Sequence, residues 1–183
     1  MPSPYEARMR AWVKDFIVPF NICPFAKREV ERESIRYQVA SYAHDNDFYD
    51  LMQQELKLLH TESEPETTLL ILPQLDDHFE DFLNQAGYAT QILQLEGYSG
   101  TIQIAHFHPH YVFTGSEHSD AANYTNRAPH AALHLLREDS LARVIRAHKN
   151  AEQIPADNIK LLREMGIAPL QQKLQDIYKL GKK

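Results

Sequence analysis

The stretch TTLLIL, residues 67–72, is an uninterrupted run of threonine and apolar side chains. Such a run is typical of a strand that is covered on both faces, so it predicts the central strand of a sheet. On either side of it, residues 45–59 and 76–93 carry apolar side chains at helical spacing and predict two long helices. The chain is therefore expected to fold around a strand that is enclosed by helices.

Two further segments predict strands beside this one. Residues Ile35–Val39 alternate with a period of two, and residues 101–107 follow a glycine-containing turn and are ended by Pro109. The order strand, helix, strand, helix, strand predicts an α+β (mixed α/β) fold with a small three- to four-stranded, partly parallel sheet packed by helices. Two further helical patterns lie at residues 7–18 and 23–33, and four others, at residues 130–137, 140–148, 156–165 and 168–180, make the C-terminal third helical.

Length and composition limit the classes of protein. With 183 residues, 43% hydrophobic and 24% charged side chains, the chain has an ordinary globular composition, and a single domain over residues 1–183 is expected. A net charge of -6 disfavours a nucleic-acid partner, and no apolar run is long enough to predict a membrane span. The chain has one cysteine, which excludes an intramolecular disulfide, so a cytoplasmic location is expected.

Any chemistry of this chain is expected to centre on a polar, histidine-rich segment, residues 106–138. His106 and His108 lie two residues apart at a predicted strand end, so their rings share one face. His130 and His134 lie four residues apart on a predicted helix and again share one face. Four imidazoles could hold Zn²⁺, Fe²⁺ or Mn²⁺, whereas the simpler alternative is a set of exposed or hydrogen-bonded rings. The histidines between positions 106 and 134 are His106, His108, His110, His118, His130 and His134.

Cys23 is the candidate nucleophile. It precedes Pro24 at the start of a predicted helix, with Lys27 and Arg28 one turn later. A helix N-terminus and nearby cations lower a thiol pKa and favour the reactive thiolate, for which a histidine of the polar segment would be the base. The alternative is that Cys23, between two apolar neighbours, is a small buried hydrophobic residue.

The stretch NYTNRAPH, residues 123–130, is the densest run of side-chain hydrogen-bond donors in the chain. Asn and Arg side chains can hold a carboxylate or phosphate through paired hydrogen bonds, and the stretch leads into a predicted helix N-terminus, which also favours an anion. With Arg36 and Arg137 as expected neighbours, it predicts a site for a small anion. The alternative is a structural loop whose Asn side chains bond to their own backbone.

Five short peptides are unusual and occur in a characteristic order. They are NICPFA at residues 21–26, IRY at 35–37, FHP at 107–109 followed by Tyr111 and Phe113, NYTNR at 123–127 and HLLRE at 134–138. In these peptides the chain resembles the bacterial domain-of-unknown-function family 1415, from about residue 12 to residue 166. The resemblance implies no established activity. It places eight candidates on family motifs, namely Cys23, Arg36, His108, Tyr111, Asn126, Arg127, His134 and Arg137. His106, His110, His118 and His130 depart from the family pattern, which counts against a four-histidine metal site.

The expected function is that of a cytoplasmic enzyme, a hydrolase or transferase, or of a binding protein for a small anionic metabolite. His108 and His134 would be the acid–base residues, and Cys23 the nucleophile or a pocket wall. The anion would be held by Arg36, Tyr111, Asn126, Arg127 and Arg137. No cofactor is expected, and dinucleotide, nucleotide-triphosphate, serine-hydrolase and dithiol motifs are absent. The alternatives are a Zn or Fe protein with the ligands His106, His108 and His134, and a non-catalytic adaptor module.

Overall fold

The sheet of this protein is four-stranded and mixed. The computed structural model describes residues 2–147 and 150–180 of the chain. Its strands are β1 (Ile35–Val39), β2 (Thr67–Ile71), β3 (Ile102–Phe107) and β4 (Ala132–Arg137), in the spatial order β1-β2-β4-β3. β2 runs parallel to β1, and β4 is antiparallel to both β2 and β3. The predicted α+β fold with a small, partly parallel sheet is confirmed.

Seven α-helices surround the sheet in the described part of the chain. The first, α1 (Pro4–Trp12), is capped by Ser3, whose hydroxyl accepts the backbone N–H of Glu6 (3.2 Å), and it continues as a π-helical turn, Val13–Ile17. No described helix is long and apolar enough to cross a membrane. The other helices are α2 (Ala26–Glu31), α3 (Asp45–Thr61), α4 (Phe79–Leu95), α5 (Glu138–Ala147), α6 (Ile154–Met165) and α7 (Ile167–Lys179), with short 3₁₀ helices at Pro73–Leu75, Ala121–Thr125 and Ala151–Gln153.

Each face of the sheet packs against its own group of helices. On one face, Leu70 of β2 and Leu133 of β4 lie in a core with Phe48 of α3 and Phe82 of α4. On the other face, Leu69 of β2 lies in a core whose helical members come mainly from α1, α6 and α7. Every residue of β2 is buried, as expected of a strand that is covered on both faces.

Most predicted elements are confirmed to within a few residues. β1 has the predicted bounds, and α3 begins at Asp45 as predicted, where the Asp47 carboxylate accepts the backbone N–H of His44 (3.1 Å). α7 agrees with the helix predicted at residues 168–180 to within one residue at each end. The helix predicted at residues 140–148 is α5, which begins at Glu138. Residue 148, the last residue of the prediction, lies outside the described part of the chain.

The helix predicted at residues 130–137 is wrong, because most of this segment is β4. Its alanine and leucine residues favour a helix, and apolar side chains on both faces hide the period of two that marks a strand. Leu133 and Leu135 belong to the core formed with α3 and α4, whereas Ala132 belongs to the core on the other face. Pairing with β3 along the whole of β4, and with β2 over residues 132–136, outweighs the local helical preference.

Replacing Leu70 by alanine should destabilise the protein strongly. Its side chain is fully buried in a central strand, where a Leu→Ala change costs about 2–5 kcal/mol. Leu95, at the end of α4, is 77% exposed, and the same substitution there should change the free energy of unfolding by less than about 0.5 kcal/mol. Urea unfolding of both variants, followed by circular dichroism, measures the difference. Similar losses for the two variants would contradict the central position of β2.

Candidate functional site

A largely apolar cavity lies between the N-terminal helices and one face of the sheet. Trp12 and Ile17 line it from α1 and the π-helical turn, Cys23 lines it from the loop that follows, and Leu69 and His134 line it from the sheet. Two of the three predicted catalytic residues, Cys23 and His134, therefore meet at one cavity.

The loop that carries Cys23 is positioned by its own backbone and by one long-range hydrogen bond. Asn21 has a positive φ of 52°, a conformation that asparagine tolerates better than most residues, and it lies between the π-helical turn and the loop. The Ile22 carbonyl accepts a hydrogen bond from the buried side chain of Asn158 on α6 (2.8 Å). The Cys23 carbonyl accepts the backbone N–H of Ala26 at the start of α2 (3.1 Å). The backbone at Ile22 and Cys23 is thus bonded to α6 and to the start of α2.

His134 lies directly opposite Leu69 in the β2–β4 pairing, and both side chains line the cavity. Its Nε2 lies 2.8 Å from Oγ1 of Thr67, and that hydroxyl lies 2.5 Å from the carbonyl oxygen of Leu135. Because a hydroxyl has one proton and a carbonyl can only accept, Thr67 donates to Leu135 and accepts from His134. The ring proton is therefore on Nε2, which leaves Nδ1 as an acceptor. Desolvation lowers the pKa of His134 to about 4, so the ring is neutral at pH 7.

The pKa of the Cys23 thiol is shifted in the direction opposite to the prediction. Burial raises the pKa of the Cys23 thiol. The backbone N–H groups of Phe25 and Ala26 at the start of α2 hydrogen-bond to the thiol and lower its pKa, as a helix N-terminus should, but their effect is smaller. This direction is opposite to that of the predicted low-pKa thiolate, and the contacts favour the alternative of a mainly hydrophobic Cys23.

Sequence reasoning misses three polar residues of the cavity. Thr67 orients His134, and Thr125 lines the cavity from a 3₁₀ helix while its hydroxyl donates to the Ala122 carbonyl (2.7 Å). The indole Nε1 of Trp12 is buried and has no hydrogen-bond partner among the described residues. Trp12 and Thr67 occur in patterns that predict core positions, so only tertiary contacts reveal their place at the cavity.

His108 lies away from the cavity and is fully buried. Its ring packs against Phe79 and Phe82 of α4, with ring centroids 5.0 Å apart in both pairs. Its Nδ1 accepts the backbone N–H of His110 (3.0 Å), so its Nε2 carries the proton and donates to the Leu75 carbonyl (2.9 Å). Desolvation lowers the pKa of His108. With both nitrogens bonded to backbone, the geometry favours a structural role over the predicted acid–base role.

The loop between β3 and β4 is held together by its own side chains. Arg127 donates from Nε to the Tyr111 carbonyl (3.1 Å) and from Nη2 to the His118 carbonyl (2.9 Å). The Asn126 side chain donates to the His106 carbonyl (3.0 Å), and the Tyr111 ring stacks on His106. None of Tyr111, Asn126 and Arg127 lines the cavity. These contacts match the alternative of a structural loop.

Two other predicted anion ligands are also bonded within the chain. Arg36 forms a paired interaction with Glu55 of α3, with Nε–Oε2 and Nη2–Oε1 distances of 2.9 Å, and Glu55 is only 3% exposed. Arg137 donates from Nη2 to the carbonyls of Glu62 (2.6 Å) and Pro65 (2.9 Å). Neither arginine lines the cavity, so the predicted Arg/Asn set does not gather around Cys23 and His134.

The predicted metal trio of His106, His108 and His134 does not assemble. His106 pairs with Leu133 in the sheet and lies on the face that packs against Phe82, as does the His108 ring. His134 lies on the opposite face, at the cavity. Within residues 2–147 and 150–180, no group of three His, Cys, Asp or Glu side chains is placed to hold a metal ion.

His130 forms a separate buried pair with Asp76. Its Nδ1 lies 2.6 Å from Oδ2 of Asp76, whose other oxygen accepts the backbone N–H of Ala131 (2.7 Å). The ring is 1% exposed and contacts Tyr5 of α1 and Tyr178 of α7. The pair therefore ties the loop before β4 to both terminal helices, and it lies outside the cavity.

The structure is thus an α+β protein with an apolar cavity on one face of a mixed sheet. A family model described as "Protein of unknown function (DUF1415)" matches residues 5–172. The chain belongs to this family, and the resemblance seen in its short peptides is confirmed. Neither the curated proteins nor the solved structures contain a match to the chain.

Replacing His134 by glutamine should reduce the acid sensitivity of the fold. The pKa of His134 is about 4 in the folded protein against an ordinary value of 6.5, so the unfolded chain binds more protons between these values, and stability falls as pH falls through this range. Between pH 7 and pH 5, the wild type should lose about 2 kcal/mol more than the variant. Urea unfolding at both pH values measures this. His60→Gln, at an exposed position, is the matched control and should follow the wild type.

Cys23 should react slowly with iodoacetamide in the folded protein. Its raised pKa leaves little thiolate at pH 8, so labelling should be at least about tenfold slower than in the urea-unfolded chain. Because the chain has one cysteine, intact-protein mass spectrometry reports this residue alone. If labelling at pH 7 is as fast in the folded protein as in the unfolded chain, the result would contradict this expectation and support Cys23 as a nucleophile.

Proposed function

We propose that this protein binds a small, uncharged and mainly apolar molecule in the cavity between Cys23 and His134. The observation that supports this proposal is the meeting of these two side chains at one cavity whose other walls are almost entirely apolar. Concave, mainly apolar sites with a few polar groups are the usual form of small-molecule sites in proteins.

The charge state of the cavity favours an uncharged ligand over the anion expected from the sequence. Among the residues that the structure describes, no lysine or arginine lines it. The pKa of His134 is lowered to about 4 and that of Cys23 is raised, so both side chains are neutral at pH 7. A carboxylate or phosphate placed there would lose its water without gaining a cation, which is strongly unfavourable.

The polar atoms of the cavity favour a ligand that carries a hydroxyl group. Nδ1 of His134 can accept a hydrogen bond, because Nε2 donates to Thr67. The indole N–H of Trp12 is a buried donor without a partner among the described residues, and leaving such a group unpaired is costly. A hydroxyl both donates and accepts, so one such group on the ligand could serve either residue.

The same two pKa shifts favour binding over nucleophilic catalysis. An imidazole with a lowered pKa is a weak base, and a thiol with a raised pKa is difficult to deprotonate. For the Cys23–His134 pair to act as nucleophile and base, a ligand would have to reverse both shifts. The proposed function is therefore that of a binding protein.

Titration with cyclohexanol and with cyclohexanecarboxylate tests the proposal, because these probes differ mainly in charge. Trp12 is the only tryptophan of the chain and lines the cavity, so its fluorescence reports occupancy. We expect cyclohexanol to shift the emission saturably and to raise the melting temperature, and the carboxylate to bind at least about tenfold more weakly, equivalent to about 1.4 kcal/mol.

A cavity-filling variant shows where the probe binds. Ala26 lines the cavity and Ala43 is exposed, so Ala26→Leu and Ala43→Leu add the same atoms inside and outside it. Ala26→Leu should weaken cyclohexanol binding by about tenfold or more, because the added atoms occupy the site. Absence of cyclohexanol binding to the wild type, or tighter binding of the carboxylate, would overturn the proposal.

A further inference from the structure

A second apolar space, here called the α5 groove, is also lined by Cys23. It lies between residues 22–25, helix α5 and the start of α6. Val144 and Ile145 line it from α5, and Ile154 and Pro155 line it from α6. Cys23 apart, every described side chain that lines the groove is a hydrocarbon, so these walls favour an apolar group.

The α5 groove and the cavity share part of their walls. Ile22, Cys23 and Phe25 line both spaces. The cavity and the groove therefore border the same short loop. The loop is fixed to α6 by Asn158, and the Cys23 side chain within it is only partly buried.

The apolar side chains of α5 are little used by the core. Ser140 is the only residue of α5 that is buried, whereas Ile145 is 48% exposed and Val144 is half-buried. An amphipathic helix normally buries its apolar side in the core. The apolar side of α5 instead forms one wall of the groove, and contact with water there is unfavourable.

We infer that the α5 groove continues the cavity, and that the ligand is an elongated molecule with a hydroxyl head and an alkyl tail. This inference rests on the proposed function of the cavity. The head lies at the cavity end, where Trp12 and His134 supply a donor and an acceptor. The tail passes beside Cys23 and lies against the apolar side chains of Val144 and Ile145 of α5.

A series of straight-chain 1-alkanols from butanol to decanol tests the inference through Trp12 fluorescence. Each methylene that enters an apolar site contributes about 0.8 kcal/mol, which corresponds to about a fourfold gain in affinity. We expect affinity to rise with each methylene up to the longest alcohols, because the groove accepts the part of the tail that the cavity cannot hold.

Variants of α5 separate the groove from the cavity. Ile145→Glu places a charge in the groove, and Ala147→Glu makes a charge change at an exposed position of the same helix that does not line the groove. Ile145→Glu should leave butanol binding unchanged and weaken decanol binding by about tenfold or more, equivalent to about 1.4 kcal/mol. Ala147→Glu should change neither. Val144→Gln, which removes an apolar wall without adding charge, should show the same selective loss if Ile145→Glu does not fold.

The outcomes distinguish this inference from the proposed function. If butanol binds the wild type but longer alcohols bind no more tightly, or the α5 variants show no selective loss of decanol binding, the ligand tail does not bind in the α5 groove. That result would overturn the inference but not the proposed cavity site. A wild type that binds neither butanol nor cyclohexanol would overturn the proposed function, and the inference with it.

Discussion

The insertion of β4 between β2 and β3 is the constraint on which the rest of the structure depends. β4 pairs with β3 along its whole length and with β2 at every residue except Arg137. This pairing sends Leu133 and Leu135 into the core formed with α3 and α4 and places His134 on the opposite face. Because side chains alternate along a strand, a shift of one residue would exchange the two faces. It would put a polar ring into an apolar core and remove it from the cavity.

At the cavity, burial away from water affects the pKa values of Cys23 and His134 more than their hydrogen bonds do. The Cys23 thiol has the helix N-terminal N–H contacts that stabilise a thiolate, yet burial raises its pKa. His134 has a hydrogen-bond partner in Thr67, but desolvation lowers the pKa of its ring to about 4. Two side chains that are often reactive are therefore kept neutral, which suits an uncharged ligand better than an anion or a nucleophilic reaction.

The polar residues between β3 and β4 stabilise the chain itself. Arg127 and Asn126 donate to backbone carbonyls of the segment that contains the loop, while Arg36 is neutralised by Glu55. A segment without regular secondary structure leaves many backbone groups that need partners, and side-chain donors can supply them. A dense run of donors in a sequence is therefore equally compatible with a ligand site and with a structural loop. Only the groups that accept these hydrogen bonds distinguish a ligand site from a structural loop.

The sequence by itself determined the elements that local patterns specify. The alternation of Ile35–Val39, the buried run at β2 and the acidic start of α3 at Asp45 each depend on neighbouring residues, and all three are confirmed, as is the family. It also marked Cys23 and His134 as candidates. Only the tertiary structure decided that residues 132–137 form a strand, that Trp12 and Thr67 join these candidates, and that the other predicted ligands lie elsewhere. The physical reason is that strand pairing, burial and pKa shifts arise from residues that are distant in the chain.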